Sequence, residues 1–151
     1  YKSMSHYAEN RKVRFDYEIL EKFEVGIELL GTEVKSVRGG RMSLEGAFVI
    51  VRGGEAYIIN SNIPPYQVAN APKDYDPLRN RKLLLTKKEI TELAGNEKNK
   101  SLTIVPISVY NKGSKIKVEI ALVKGKKKHD KRETTKKRET DREIRRTIKE
   151  R

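Results

Sequence analysis

Between positions 17 and 123 the apolar residues come in short runs, several strictly alternating and broken by turn residues. A side-chain period of two presents one face of an extended strand to a core and the other to water. That periodicity confines this stretch to short, mostly antiparallel strands. Residues 17–30 carry Tyr17, Ile19, Leu20, Phe23, Val25, Ile27 and Leu29, alternating from Phe23 to Leu29. Residues 47–52, then Gly53-Gly54, then 55–60 read as a hairpin, because paired glycines supply the positive φ of tight turns. Residues 82–85 form a short apolar run. Residues 102–110 and 115–123 flank Asn111-Lys112-Gly113-Ser114 as a second hairpin. In its last arm Ile116, Val118, Ile120 and Leu122 face inward, and Lys117, Glu119 and Ala121 face water.

Two short helices interrupt the strands. Thr86-Lys87-Lys88-Glu89 fits a capping box, followed by the stripe Ile90, Leu93 and Ala94 and a stop at Gly95. Thr32 is placed to cap a helix running from Glu33 to Arg38 and ending at Gly39-Gly40. Val34 and Val37 would face inward, with Glu33, Lys35 and Arg38 outside. The expected fold class is mainly β: an OB-fold-like closed antiparallel β-barrel of about six strands with two or three short helices. Closure removes the unpaired edges that short hairpins otherwise leave; an open sandwich is the alternative. No internal repeat is visible.

Charge divides the chain. It holds 34 Lys+Arg and 21 Asp+Glu, a formal net +13. Residues 124–151 contribute 14 and 6 of these, or +8, leaving 20 and 15, or +5, in residues 1–123. The last 28 residues have only Ile144 and Ile148 as large apolar groups. Burying two side chains cannot offset an ordering entropy of roughly 1–2 kcal/mol per residue. Two units follow: a β-barrel body, 1–123, and a basic tail, 124–151, disordered when free. The tail has no Pro and is rich in Lys, Arg and Glu, so a polyanion that relieves its self-repulsion would favour a helix. A solvated tail kept for solubility is the simpler reading.

Several chemistries drop out. The chain has no Cys, which removes disulfides, thiolate-bound metals and thiol catalysis. His6 and His129 stand far apart without ligand-spaced partners, so no metal site is assigned. No phosphate-cradling glycine motif occurs. Glu24, Glu28 and Glu33 could line a surface, but a nuclease would need a tighter carboxylate cluster. We expect no enzyme activity and no cofactor. The longest apolar runs are far too short to span a bilayer. No signal peptide is visible, and Tyr1 in place of an initiator Met leaves the natural start open. A cytoplasmic, monomeric protein with a polyanion partner, nucleic acid before membrane, is the expectation.

Three segments carry the binding signal. Asn10-Arg11-Lys12-Val13-Arg14-Phe15-Asp16-Tyr17 mixes cations with aromatic and amide groups suited to phosphates and bases. Arg79, Arg81 and Lys82 follow a loop at Asp76-Pro77. Lys124-Gly125-Lys126-Lys127-Lys128-His129-Asp130-Lys131-Arg132 is the densest run of cations. Lys35 and Arg38, on the outer face of the predicted helix, join the candidate RNA contacts.

These segments, with Phe23-Glu24-Val25-Gly26 and Gly31-Thr32-Glu33-Val34-Lys35-Ser36-Val37-Arg38 between them, occur in the order found in the SmpB family. The chain resembles that family from about residue 9 to 137. These are the SsrA-binding proteins, which partner bacterial transfer-messenger RNA (tmRNA). The resemblance implies an OB-type barrel that binds the tRNA-like domain of tmRNA and delivers it to stalled ribosomes. It implies tmRNA-binding roles for Asn10, Glu24, Leu84 and Lys117. It links Lys124, Gly125, Lys126, Lys127, His129, Asp130, Lys131, Arg132, Lys136 and Arg138 to ribosomal function. The tail would be helical in the empty mRNA channel beside the small-subunit decoding centre. EF-Tu and alanyl-tRNA synthetase would act on the same RNA. By pattern Leu84 looks like core, and Glu24, which would repel phosphate, should bond a base, a ribose hydroxyl or a neighbouring cation. Phe15 stands where the family often has His, and Asn111 replaces a frequent aromatic. A general OB-fold RNA-binding or ribosomal protein is the alternative.

Overall fold

The computed structural model describes residues 6–67, 69, 72–99 and 101–125. The elements in chain order are β1 (His6–Glu9), α1 (Val13–Asp16), β2 (Tyr17–Ile27), α2 (Gly31–Arg38), β3 (Phe48–Arg52), β4 (Glu55–Ile59), β5 (Arg81–Leu84), α3 (Lys87–Glu97), β6 (Leu102–Lys112) and β7 (Lys115–Gly125). The expected tail conformation beyond residue 125 lies outside the described residues.

All strand pairings are antiparallel. The order β6-β3-β4-β5-β2-β7, together with β6–β7, closes into a ring of six strands. The seam is thin: β3 meets β6 only at Val49↔Ile104. Further along the same edge of β6 sits β1, opposite Ser108 to Tyr110. That seventh strand is one more than the pattern suggested, because its four residues alternate too briefly to register. Both hairpins form, with positive φ at Gly53, Gly54 and Gly113. The second turns on Gly113-Ser114, tighter than expected, so Asn111 and Lys112 belong to β6.

The main core fills the ring with Val25, Val37, Val49, Ile58, Leu83, Ile104, Val118 and Ile120. The expected alternation of β7 fails at its end. Ala121 and Val123 are fully buried, in a second cluster with Val13 and Val105. The one-turn helix α1 lays Val13 over the outer face there. Four residues carry no helical period, so this cover is invisible in sequence. Three register shifts interrupt the ladders, one of them between His6 and Ala8 in β1. Another follows Pro106, which has no N–H to give the ladder. The third falls between Ile19 and Glu21.

The helices differ from expectation in detail. In α3, Thr86 Oγ1 accepts from Glu89 N at 3.2 Å and Thr86 N donates to Glu89 Oε1 at 2.9 Å, the anticipated box. The helix runs past Gly95 to Glu97, whose carboxylate accepts from Val51 N at 2.7 Å and ties the last turn to β3. In α2 the cap is Leu30 rather than Thr32, and Leu30 N donates to Glu33 Oε1 at 2.8 Å. Glu33, expected outside, is therefore turned inward and is 1% exposed.

Candidate nucleic-acid interface

Cross-strand register sets the first surface. Leu84 of β5 opposes Gly26 of β2, and Gly26 opposes Lys117 of β7. Paired residues share a sheet face, so the three form one row. Leu84 is 49% exposed, which corrects the reading of it as core. Its side chain lies over Gly26: a Cβ built there would meet Leu84 Cδ1 at 3.2 Å. Glycine thus leaves the leucine flat against the sheet. Arg38, Lys115 and Ile116 join Leu84 and Lys117 around a groove of about 430 Å³. Arg38 Nη2 donates to Ser114 O at 3.0 Å and ties α2 to the hairpin turn. The groove has an apolar floor and a cationic rim, suited to a base and its phosphates. Lys115 was not singled out from sequence, since nothing marks one lysine of a turn above another.

Glu24 sits two residues from Gly26 on the same face. It accepts from the Tyr110 hydroxyl, and from Lys112 Nζ at 2.8 Å. The Lys112 ammonium and then the Tyr110 hydroxyl hold its carboxyl below the ordinary range. Burial and Glu24 in turn push the Tyr110 phenol up. Glu24 therefore bonds a neighbouring cation, and its charge is offset where phosphate would approach. Tyr110 continues the row from Lys117, and His6 lies beyond it with ring centroids 5.8 Å apart. Tyr110 and Lys112 escaped sequence reading because the link to Glu24 spans 86 residues or more.

Arg79 and Arg81 were expected to face RNA. The structure turns both towards Glu33. Arg81 is 0% exposed. Its Nε donates to Glu33 Oε2 at 2.8 Å, Nη1 to Ser61 O at 2.8 Å, and Nη2 to Pro77 O at 3.0 Å. Arg79 Nε donates to the same Oε2 at 3.0 Å, and its side chain is 32% exposed. Tyr75 Oη, 2.7 Å from Ile63 O, closes the cluster. Burial alone would raise the Glu33 carboxyl. The Arg79 guanidinium, the Leu30 N–H and Arg81 outweigh it and bring the pKa to about 2. Arg81 is thus a buried strut rather than a surface cation; the polar residues around it gave no hydropathy signal of a core position.

The remaining candidates are dispersed. Asn10 lines a second groove with Lys12, Val13, Glu45 and Gly46. Its N–H donates to Ile107 O at 2.7 Å, which pins the β1–α1 corner. Lys12 faces Glu45 at 3.5 Å and Arg11 faces Glu9 at 4.0 Å, both pairs well exposed. Arg14 lies in α1. Lys35 stands on the exposed side of α2 with Nζ 5.8 Å from the Tyr66 ring centroid. Lys124 and Gly125, assigned to the tail, are the last residues of β7, opposite Glu18 and Tyr17. Lys126, Lys127, His129, Asp130, Lys131, Arg132, Lys136 and Arg138 lie outside the described residues. Among the described residues no cluster of three or more His, Cys, Asp or Glu could hold a metal, and no helix is long and apolar enough to cross a membrane.

Comparison with known proteins adds three findings. The family model described as SmpB protein matches residues 7–150. The SsrA-binding protein of Synechococcus elongatus is 52% identical over 142 residues, covering 94% of this chain and 92% of that protein. Those of Thermosynechococcus vestitus and Enterococcus faecalis are 49% and 51% identical over similar spans. A solved chain, described as "tmRNA-SmpB: a journey to the center of the bacterial ribosome", superposes with a TM-score of 0.66 at 44% identity. It covers 84% of this chain and 92% of its own.

Proposed function

The chain belongs to the SmpB family, and from that premise we propose that it is an RNA-binding adaptor of trans-translation. It binds tmRNA and brings it to stalled ribosomes, so that the unfinished chain is tagged and the ribosome released. The observation that carries this is the match along residues 7–150 to a family of SsrA-binding proteins.

The geometry supports a division of labour. The ring of strands is read as an OB-type barrel that selects the tRNA-like domain. Leu84, Lys117, Arg38 and Lys115 form the contact groove, with Glu24 holding the β6–β7 hairpin through Lys112. Asn10, Arg11, Lys12 and Arg14, on the separate β1–α1 corner, add further contacts to the same RNA. Arg79 and Arg81 act through the loop they brace. The tail cations from Lys126 to Arg138 engage the decoding centre and mRNA channel, as a helix. The protein works as a monomer in the cytoplasm, on an RNA that EF-Tu and alanyl-tRNA synthetase also handle. It supplies binding, not catalysis.

The test is a titration of the tRNA-like domain against an unrelated RNA hairpin across salt. We expect clear preference for the tRNA-like domain at near-physiological salt, with log affinity falling linearly in log salt. Equal affinity for the two RNAs would favour a general RNA-binding or ribosomal protein instead. Lys117→Ala should weaken binding to both RNAs and flatten the salt slope by about 1.

A further inference from the structure

A smaller cleft opens on a different side of α2 from the Leu84 groove. Val34 and Arg38 line the groove, whereas Thr32 and Lys35 line this cleft; on a helix those pairs project from different sides. Its volume is about 140 Å³, and its walls are Pro64, Pro65, Tyr66, Pro72 and Tyr75. That is below the roughly 300–1,000 Å³ of a drug-sized site, and it suits one ring system rather than an extended ligand.

The walls are held before any ligand arrives. Ser36 Oγ donates to Pro64 O at 2.7 Å, and Arg41 Nη1 donates to Tyr66 O at 3.1 Å. Tyr75 is fixed through its hydroxyl to Ile63 O. Prolines add fixed φ. Yet Tyr66 itself is 42% exposed, and Lys35 Nζ stands 5.8 Å from its ring centroid. A pinned backbone carrying a part-exposed aromatic ring, with a cation over it, is a stacking platform with a phosphate contact attached. Glu33 lines the cleft too, but it is clamped by Arg79 and Arg81, so the three groups together carry net positive charge. Phosphate is not repelled there.

We propose that this cleft receives one unpaired RNA nucleobase, stacked on Tyr66, with an adjoining phosphate at Lys35. The inference rests on the RNA-binding function above. The nucleotide could be supplied by tmRNA or by ribosomal RNA, and the experiment separates these.

The full-length protein is compared as wild type, Tyr66→Ala, Tyr66→Phe and Lys35→Ala, with thermal melts confirming that each is folded. Binding is measured first to the isolated tRNA-like domain, then in assembly of the tmRNA complex on stalled ribosomes. Tyr66→Ala should weaken one of the two steps by roughly 5- to 150-fold, the scale of one stacked base, and Tyr66→Phe should retain it. Lys35→Ala should weaken the same step and lower its salt slope by about 1. Loss in the first measurement assigns the base to tmRNA; loss only in the second assigns it to the ribosome. Unchanged binding by Tyr66→Ala at both steps overturns the inference. So does a proline-rich peptide that binds the wild type while RNA binding ignores Tyr66. Failure of the wild type to prefer the tRNA-like domain would instead refute the adaptor function itself.

Discussion

Arg81 is fully buried, and the carboxylate it pairs with is Glu33, 2.7 Å away. Buried ions persist only when paired and hydrogen-bonded. Removing one partner leaves the other uncompensated, so Glu33→Gln should cost about 3–5 kcal/mol, read from urea unfolding. The pH dependence has a definite sign. The Glu33 carboxyl titrates near 2 when folded against 4.5 ordinarily. Its contribution is therefore complete above about pH 4.5 and is lost as pH falls from there towards 2. Urea midpoints across that window should fall more steeply in the wild type than in Glu33→Gln. Leu84 behaves oppositely. It is half-exposed, so Leu84→Ala should change stability by no more than about 0.5 kcal/mol while weakening tmRNA binding. A large loss of stability with normal RNA affinity would make it a structural residue.

Among the elements, α3 shows how far local sequence reaches. The Thr86–Glu89 box is short-range chemistry between residues three apart and needs nothing else to specify it. Thr86→Ala should cost about 1 kcal/mol, measured as a lowered thermal midpoint with RNA affinity intact. The helix end is different. Gly95 is a local stop signal, yet the Val51 N–H and Glu97 extend the helix beyond it. In α2 the same contest moves the start. Thr32 is a competent cap, but Glu33 must turn inward to meet Arg79 and Arg81, and its carboxylate then satisfies Leu30 N instead.

For the whole molecule, the ring brings β2, β5 and β7 side by side and so assembles Leu84, Gly26 and Lys117 from three distant segments. The basic charge splits between this body and residues 124–151. Because β7 continues through Gly125, a truncation meant to remove only the tail belongs after that residue. Such a protein should bind the tRNA-like domain with near-normal affinity but fail to support tagging on stalled ribosomes. If binding and tagging were lost together, the separation of body from tail would be refuted.

Alternation, paired glycines and a capping box are local signals, and they were enough for the β class, both hairpins and α3. The ordered motifs from Asn10 to Arg132 were enough for the family. What sequence alone misplaced were residues whose neighbours lie far along the chain. Leu84 is outside because β2 presents Gly26 beneath it; Arg81 is inside because Glu33, 48 residues away, awaits it. Glu24 does bond a cation, one of the expected options, but that the cation is Lys112, 88 residues away, only the fold decides. Burial and pairing of a charged or apolar side chain depend on which strands meet across the ring, and that is decided only when the whole chain closes on itself.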